Sequence, residues 1–212
     1  MSNYGWGNAG FDLLDLDKDG VADAAYKEMD LDGDGLRDDI YMEMDLDGDG
    51  YADSNIQASD LDDDGYVDSI FGQFDLDGDG RTDTTVNMSD TDGDGSIDYI
   101  HMTVDADEDG IVDSVIAGVD HDGDGVLDEL YMSMDYDGDG VVDEVITGMD
   151  YDGDGMLDDL YVTVDHNGDG IVDETLYAVD YDGDGVIDDY YGEIDLDFDG
   201  YADVSYGSGD LF

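Results

Sequence analysis

Aspartates stand at positions 0, 2, 4 and 8 of a unit that repeats every 15 residues, from Asp15 to Asp203. The first six sets are Asp15, Asp17, Asp19 and Asp23; Asp30, Asp32, Asp34 and Asp38; Asp45, Asp47, Asp49 and Asp53; Asp60, Asp62, Asp64 and Asp68; Asp75, Asp77, Asp79 and Asp83; and Asp90, Asp92, Asp94 and Asp98. Four more are Asp105, Asp107, Asp109 and Asp113; Asp120, Asp122, Asp124 and Asp128; Asp135, Asp137, Asp139 and Asp143; and Asp150, Asp152, Asp154 and Asp158. The last three are Asp165, Asn167, Asp169 and Asp173; Asp180, Asp182, Asp184 and Asp188; and Asp195, Asp197, Asp199 and Asp203. Of these 52 positions 51 are Asp, and position 5 is Gly in all 13 units. Carboxylates at alternate positions can converge on one point, and the glycine supplies the turn that returns the later acid to it. Oxygen donors with no His or Cys in the pattern select a hard cation. Four carboxylates, a backbone carbonyl near position 6 and water suit the wide coordination shell of Ca²⁺ better than the tight, water-rich octahedron of Mg²⁺. The pattern therefore predicts about 13 calcium ions, one per loop. A trivalent lanthanide would satisfy the same donors, and no feature shows selection for it.

The charge balance asks for such an ion. The chain has 212 residues, with 64 acidic against 4 basic and a formal net charge of −60. Repulsion on that scale ordinarily holds a chain open. It excludes nucleic acid as a partner and disfavours anionic membrane surfaces. Yet 40% of the residues are hydrophobic and 16 are tyrosine, which a solvating acidic tail does not need. The composition is that of a fold awaiting a counterion. Thirteen divalent ions would bring the charge from −60 to −34. Metal binding would then supply most of the folding free energy. There is no Cys to form disulfides, no Pro, and no stretch apolar enough to insert in a membrane. The start, "MSNYGWGNAG", has neither a basic region nor an apolar run, so no cleavable secretion signal is expected there.

The acids need elements to hold them, and positions 9–14 of each unit provide these. The six-residue segments are too short for helices and rich in Ile, Val, Thr and Tyr, which predicts strands. Alternate units differ: "ELYMSM" and "DLYVTV" contrast with "SVIAGV" and "EVITGM". In one set position 11 is aromatic or His at a spacing of 30 residues, through Tyr41, Phe71, His101, Tyr131, Tyr161 and Tyr191, with Phe11 in phase before the first loop. The structural period is therefore 30 residues. In the same set Leu130, Met132 and Met134 alternate with polar neighbours, the period of a half-buried strand. The prediction is an all-β repeat protein of about 14 short strands joined by 13 loops. It comprises an N-terminal cap with the first strand over 1–14, repeats over 15–209 and a stub at 210–212. The aromatic series is expected to stack as a ladder in the sheet.

Two architectures fit the period. A parallel β-solenoid with 30-residue coils would stack its loops about 4.8 Å apart, whereas an antiparallel meander would place loops on one edge about 9.6 Å apart. A loop carrying its own four carboxylates needs the wider spacing, so the meander is favoured. One layer of 14 strands must still bury a face, which predicts a sheet that rolls, packs on itself or pairs with another copy.

The loop D-x-D-x-D-G-x-x-D, for example Asp120, Asp122, Asp124, Gly125 and Asp128, resembles the first half of an EF-hand. It departs at the twelfth position, where an EF-hand has a bidentate Glu and this chain has Tyr131 or Ile146. With its closing acid at the ninth position it resembles the calcium loops of integrin-type and FG-GAP/VCBS repeats, and it is similar to the aspartate-rich thrombospondin type 3 repeats. The resemblance covers residues 15–203 at the level of the loop and implies calcium sites between adjacent strands in an extracellular protein. The longer blade pattern of a β-propeller is missing.

No catalytic constellation is present. His101, His121 and His166 lie at unrelated positions and look like local substitutions. Lys18, Lys27, Arg37 and Arg81 all lie early in the chain, and unblocked end strands invite pairing with another copy. The sequence thus points to a non-enzymatic, calcium-stapled structural or adhesive protein, extracellular or at a cell surface, with head-to-tail growth into rods or filaments as one form of self-association. The alternatives are a high-capacity calcium buffer and, more weakly, a surface for mineral, ice or glycan.

Overall fold

The computed structural model describes residues 10–31 and 33–208. The predicted ligand Asp32, residues 1–9 of the predicted cap and the stub at 210–212 lie outside the described residues. Fourteen strands follow one another: β1 (Asp12–Leu14), β2 (Ala24–Met29), β3 (Asp39–Met44), β4 (Ser54–Ser59), β5 (Ser69–Phe74), β6 (Thr84–Ser89), β7 (Tyr99–Val104), β8 (Ser114–Val119), β9 (Glu129–Met134), β10 (Glu144–Met149), β11 (Asp159–Val164), β12 (Glu174–Val179), β13 (Asp189–Ile194) and β14 (Val204–Gly207). Twelve of them span positions 9–14 of their unit.

The chain forms two compact units, Met1–Ile97 with β1–β6 and Asp98–Phe212 with β7–β14. Within each, every strand pairs antiparallel with its neighbour in sequence, so strand order follows chain order. The architecture is the antiparallel meander, and the parallel solenoid is excluded. Register is uniform: Thr147 of β10 faces Tyr131 of β9 and Tyr161 of β11, while Ile146 faces Met132 and Val162.

That register sorts the side chains of the second unit by face, because residues paired across strands point the same way. One face carries Thr147, Ser133, Thr163 and a row of adjacent tyrosines, Tyr161, Tyr177 and Tyr191. The other carries Ile116, Met132, Ile146, Val162 and Leu176. In the first unit Phe11 and Tyr41 meet with ring centroids 6.2 Å apart, tilted. The register nevertheless sets a residue of the intervening strand between later members of the series, Ala117 between His101 and Tyr131 and Thr147 between Tyr131 and Tyr161, so the expected ladder is not continuous. Each unit is an open single layer. Among the described residues only Ala24, Ala25, Ala178 and Val179 are buried apolar side chains, so neither unit rolls or folds back to make a core.

Backbone conformation explains a second glycine in the loops. Position 5, as in Gly140 with φ 87°, is left-handed, and so is position 3, as in Gly138 with φ 72°. Four units place another residue at position 3, and each adopts the same hand: Lys18 (φ 66°), Asp63 (φ 65°), Glu108 (φ 58°) and Phe198 (φ 59°). The fold imposes this conformation, at about 1–2 kcal/mol for a residue with a Cβ. Gly140→Ala should therefore lose roughly that amount, since its new methyl would meet Ile111 only at ordinary contact, 3.8 Å. Phe198→Gly should gain a similar increment, and urea unfolding midpoints in calcium check both signs.

Candidate metal centres

Each loop uses its own acids to fix its own backbone. In the loop opening at Asp135, Gly138 N–H donates to Asp135 Oδ1 at 2.8 Å and Gly140 N–H to Asp135 Oδ2 at 2.8 Å. Val141 N–H donates to Asp139 Oδ1 at 2.8 Å, and Tyr136 N–H to Asp143 Oδ2 at 2.6 Å. Asp139 N–H reaches Asp137 Oδ1 at 3.3 Å. These are the turns that short acidic side chains form with nearby amides. Each acid at positions 2, 4 and 8 thus engages an amide through one oxygen, which turns the other oxygen away from that amide.

The arrangement recurs, and it gathers carboxylates. Oxygens of Asp15, Asp17 and Asp23 lie within 4.8 Å of one another, as do those of Asp45, Asp47 and Asp53, and of Asp60, Asp62 and Asp68. The converging set in these loops is positions 0, 2 and 8. In the loop opening at Asp90 all four acids, Asp90, Asp92, Asp94 and Asp98, converge in the same way, although Asp94 at position 4 also accepts the Ser96 amide at 2.8 Å, as Asp49 does that of Tyr51. In the second unit carboxylates at positions 2 and 4 face a neighbouring loop: a Cβ on Gly138 would lie 3.5 Å from Asp107 Oδ2, and one on Gly153 would lie 3.4 Å from Asp124 Oδ2.

Loops on one edge are also joined through the ladder. Asp143 N–H donates to Met134 C=O at 2.8 Å, and Asp165 N–H donates to Asp143 C=O at 2.7 Å. The closing acid of one loop is thereby the backbone partner of the opening acid two units later. The same link joins Asp128 to Asp150 at 2.8 Å. The acids at the ends of a loop are anchored as firmly as strand residues, and the intervening ones ride on a short arch.

The loop opening at Asp30 differs. Leu31 N–H donates to Asp39 Oδ2 at 2.6 Å, where other loops use the acid at position 8. Asp38 lies instead with Asp34 and Asp63, their oxygens within 4.8 Å. Asp63 comes from position 3 of the loop two units on, so one loop lends a carboxylate to another. Desolvation and hydrogen bonds with Asp38 and Asp34 push the Asp63 carboxyl up to about 6.

His121 and His166, which look like local substitutions in the sequence, each meet a glutamate across the loop. His121 Nε2 lies 3.4 Å from Glu129 Oε2, and His166 Nε2 lies 3.1 Å from Glu174 Oε2. Tyr136 and Tyr151 occupy the same place and donate to Glu144 at 2.5 Å and Asp159 at 3.1 Å. Position 1 is thus tied to position 9 across the loop. The signal was legible: these units pair His or Tyr at position 1 with Glu or Asp at position 9, whereas Leu16, Leu46 and Leu61 accompany Ala24, Ser54 and Ser69.

The donor set fits a hard cation on two grounds. It is entirely oxygen, and some of that oxygen is buried without a partner: Asp60 and Asp83 are 7% and 6% exposed, and the Oδ1 of each has no hydrogen bond. Such a group is costly unless an ion or water compensates it. No protein-family model, curated protein or solved structure matches the chain. Among the described residues no helix is long and apolar enough to cross a membrane.

The carboxyls divide by place. At position 0, burial raises the affinity of Asp165 for its proton, but the amides of Gly170, Gly168, Asn167 and Asp169 outweigh it and hold the group below its ordinary value. At position 2, repulsion from Asp184 and Asp188 pushes Asp182 up, and Asp199 and Asp203 do the same to Asp197. A carboxyl raised on folding stabilises the fold fully below its unfolded value of 3.8, and that contribution is lost as pH rises through the folded value, about 6 for Asp63. The lowered group acts oppositely, losing its contribution as pH falls below 3.8. With divalent ions removed by a chelator that still works in mild acid, the sheet signal in circular dichroism should be stronger near pH 4.5 than at pH 7.5. A weaker signal in acid would contradict this balance.

Proposed function

We propose that the chain is a non-enzymatic calcium-binding repeat protein whose fold depends on the ions, with a structural or adhesive role outside the cell. The observation that carries this reading is the recurrence of converging carboxylates at the ends of paired strands, three from positions 0, 2 and 8 in the loops opening at Asp15, Asp45 and Asp60 and all four in the loop opening at Asp90. A net charge of −60 on sheets almost without buried apolar side chains leaves little else to offset repulsion and chain entropy. Calcium is favoured over magnesium because the acids are numerous and their loops are open enough for a wide shell. An extracellular setting follows from supply: millimolar calcium fills even the weak sites typical of extracellular modules. A buffer would need the loops alone, whereas here the ligand-bearing backbone is built into the strand ladder.

Chelator should convert the circular dichroism of the protein at neutral pH from sheet to coil, and added Ca²⁺ should restore it. An unchanged spectrum would remove calcium as a folding component. Asp139→Asn with Asp143→Asn should lower the bound calcium, counted by elemental analysis after gel filtration, by about one ion. The same change should weaken protection of β9–β11 amides in hydrogen exchange, because the Asp143 carboxylate holds the Tyr136 amide of the loop that joins β9 to β10. If the ion count is unaltered, these acids are not ligands.

A further inference from the structure

We infer that the apolar face of the second unit is the docking surface for a second copy of this chain, sheet against sheet. On that face Met102, Ile116, Met132, Ile146, Val162 and Leu176 form a continuous row across β7–β12. No second layer within the unit covers them: each of the six is half-buried among its neighbours on the sheet, and Ala178 is the one apolar side chain of this face that is fully buried. Leu127 and Leu157 lean onto the same face from their loops, against Gly118 and Gly148. Between two loops of one edge a groove of about 570 Å³ opens, floored by Ile116, Met132 and Met134.

Three features select a copy of the chain as occupant. The first is area. Seven six-residue strands and the four-residue β14, at about 4.8 Å between strands and about 3.4 Å per residue, cover roughly 700–800 Å². That exceeds the 300–600 Å² patch of a typical monomer and matches the ~800 Å² that each partner contributes to a stable interface. The second is width. The face is bounded on both edges by acidic loops, and an occupant must lay an apolar layer about 20 Å wide between them. The identical face has that width and packs at the usual ~10 Å sheet separation, with strands crossing near 30°. The third is charge. Glu144 and Glu174 are the only charged side chains that the register of β7–β13 puts on this face, so a basic partner would find little there to pair with. An apolar twin needs no counter-charge on the face.

Two copies bring their acidic rims together, so pairing is expected only where cations are bound, and this part rests on the proposed function. Sedimentation velocity of the full chain in millimolar CaCl₂ should give twice the 22.9 kDa chain mass at micromolar concentration. Ile116→Lys and Val162→Lys should each return the mass to one chain, whereas Thr147→Lys on the opposite face should not. Should a Lys variant fail to fold, oxidation of the unaltered protein by peroxide decides. Met132 and Met134 should become at least several-fold more protected as concentration rises, while Met156, 54% exposed in its loop, should not. A single chain that keeps its calcium-dependent sheet spectrum would overturn the pairing and leave the calcium reading intact. Loss of calcium dependence would do the reverse. Larger assemblies insensitive to both Lys variants would place contacts at the end strands and likewise overturn the proposal.

Discussion

The aspartate that opens a loop accepts backbone amides from the arch above it, two in most loops and one at Asp60 and Asp105, and the rest of the structure depends on those bonds. Gly138 and Gly140 donate to the two oxygens of Asp135, and the same pair recurs where position 3 is glycine, as at Asp45, Asp75, Asp120 and Asp180. An ionised carboxylate holding amides is worth roughly twice a neutral hydrogen bond. At Gly138 and Gly140 the left-handed path turns both N–H groups inward to the opening acid. The following acids are then delivered to one side of the arch by geometry, whatever their mutual repulsion. The loop is a device that makes like charges converge, and the opposed shifts at positions 0 and 2 are its electrostatic trace.

A sheet built this way has an unusual division of labour. In most domains apolar burial offsets chain entropy and polar groups are merely satisfied. Here the strands contribute cross-strand pairs and ladder bonds, while the buried positions are mostly acidic: Asp120, Asp135, Asp150, Asp165 and Asp180 are all at or below 6% exposure. Those acids are buried by their own loops rather than by a second layer. Stability is therefore concentrated at the two edges, where any counterion would sit, and the apolar face is left to be used from outside. The tie from position 1 to position 9 fits this scheme, since it braces the arch against the first residue of the following strand.

Most of the fold could be read from the sequence because its period is strict. Strand limits followed from the six drifting residues of each unit, and the meander from the room that four carboxylates demand. Other features needed the register. Nothing local says that Asp63 reaches Asp34 and Asp38, because 30-residue neighbours meet only once antiparallel strands have put alternate loops on one edge. Asp39 displaces Asp38 at the Leu31 amide because two adjacent acids compete for one place, and spacing alone cannot rank them. Taken singly His121 and His166 carry no pattern, whereas with their partners Glu129 and Glu174 they repeat one contact along the chain.

Position 3 shows how one site can serve both the loop and its neighbour. Its left-handed backbone favours glycine, and nine of the 13 units have it. Yet the side-chain direction there points at the next loop on the same edge, since a Cβ on Gly78 would approach Asp47 Oδ2 at 3.1 Å and one on Gly138 would approach Asp107 Oδ2 at 3.5 Å. A glycine keeps neighbouring loops independent and unstrained. An acid such as Asp63 accepts the backbone strain and gives the neighbouring loop another carboxylate. The same step of the repeat therefore sets both how easily a loop closes and how strongly it is coupled along the edge. Occasional departures from glycine adjust that coupling without altering the strands.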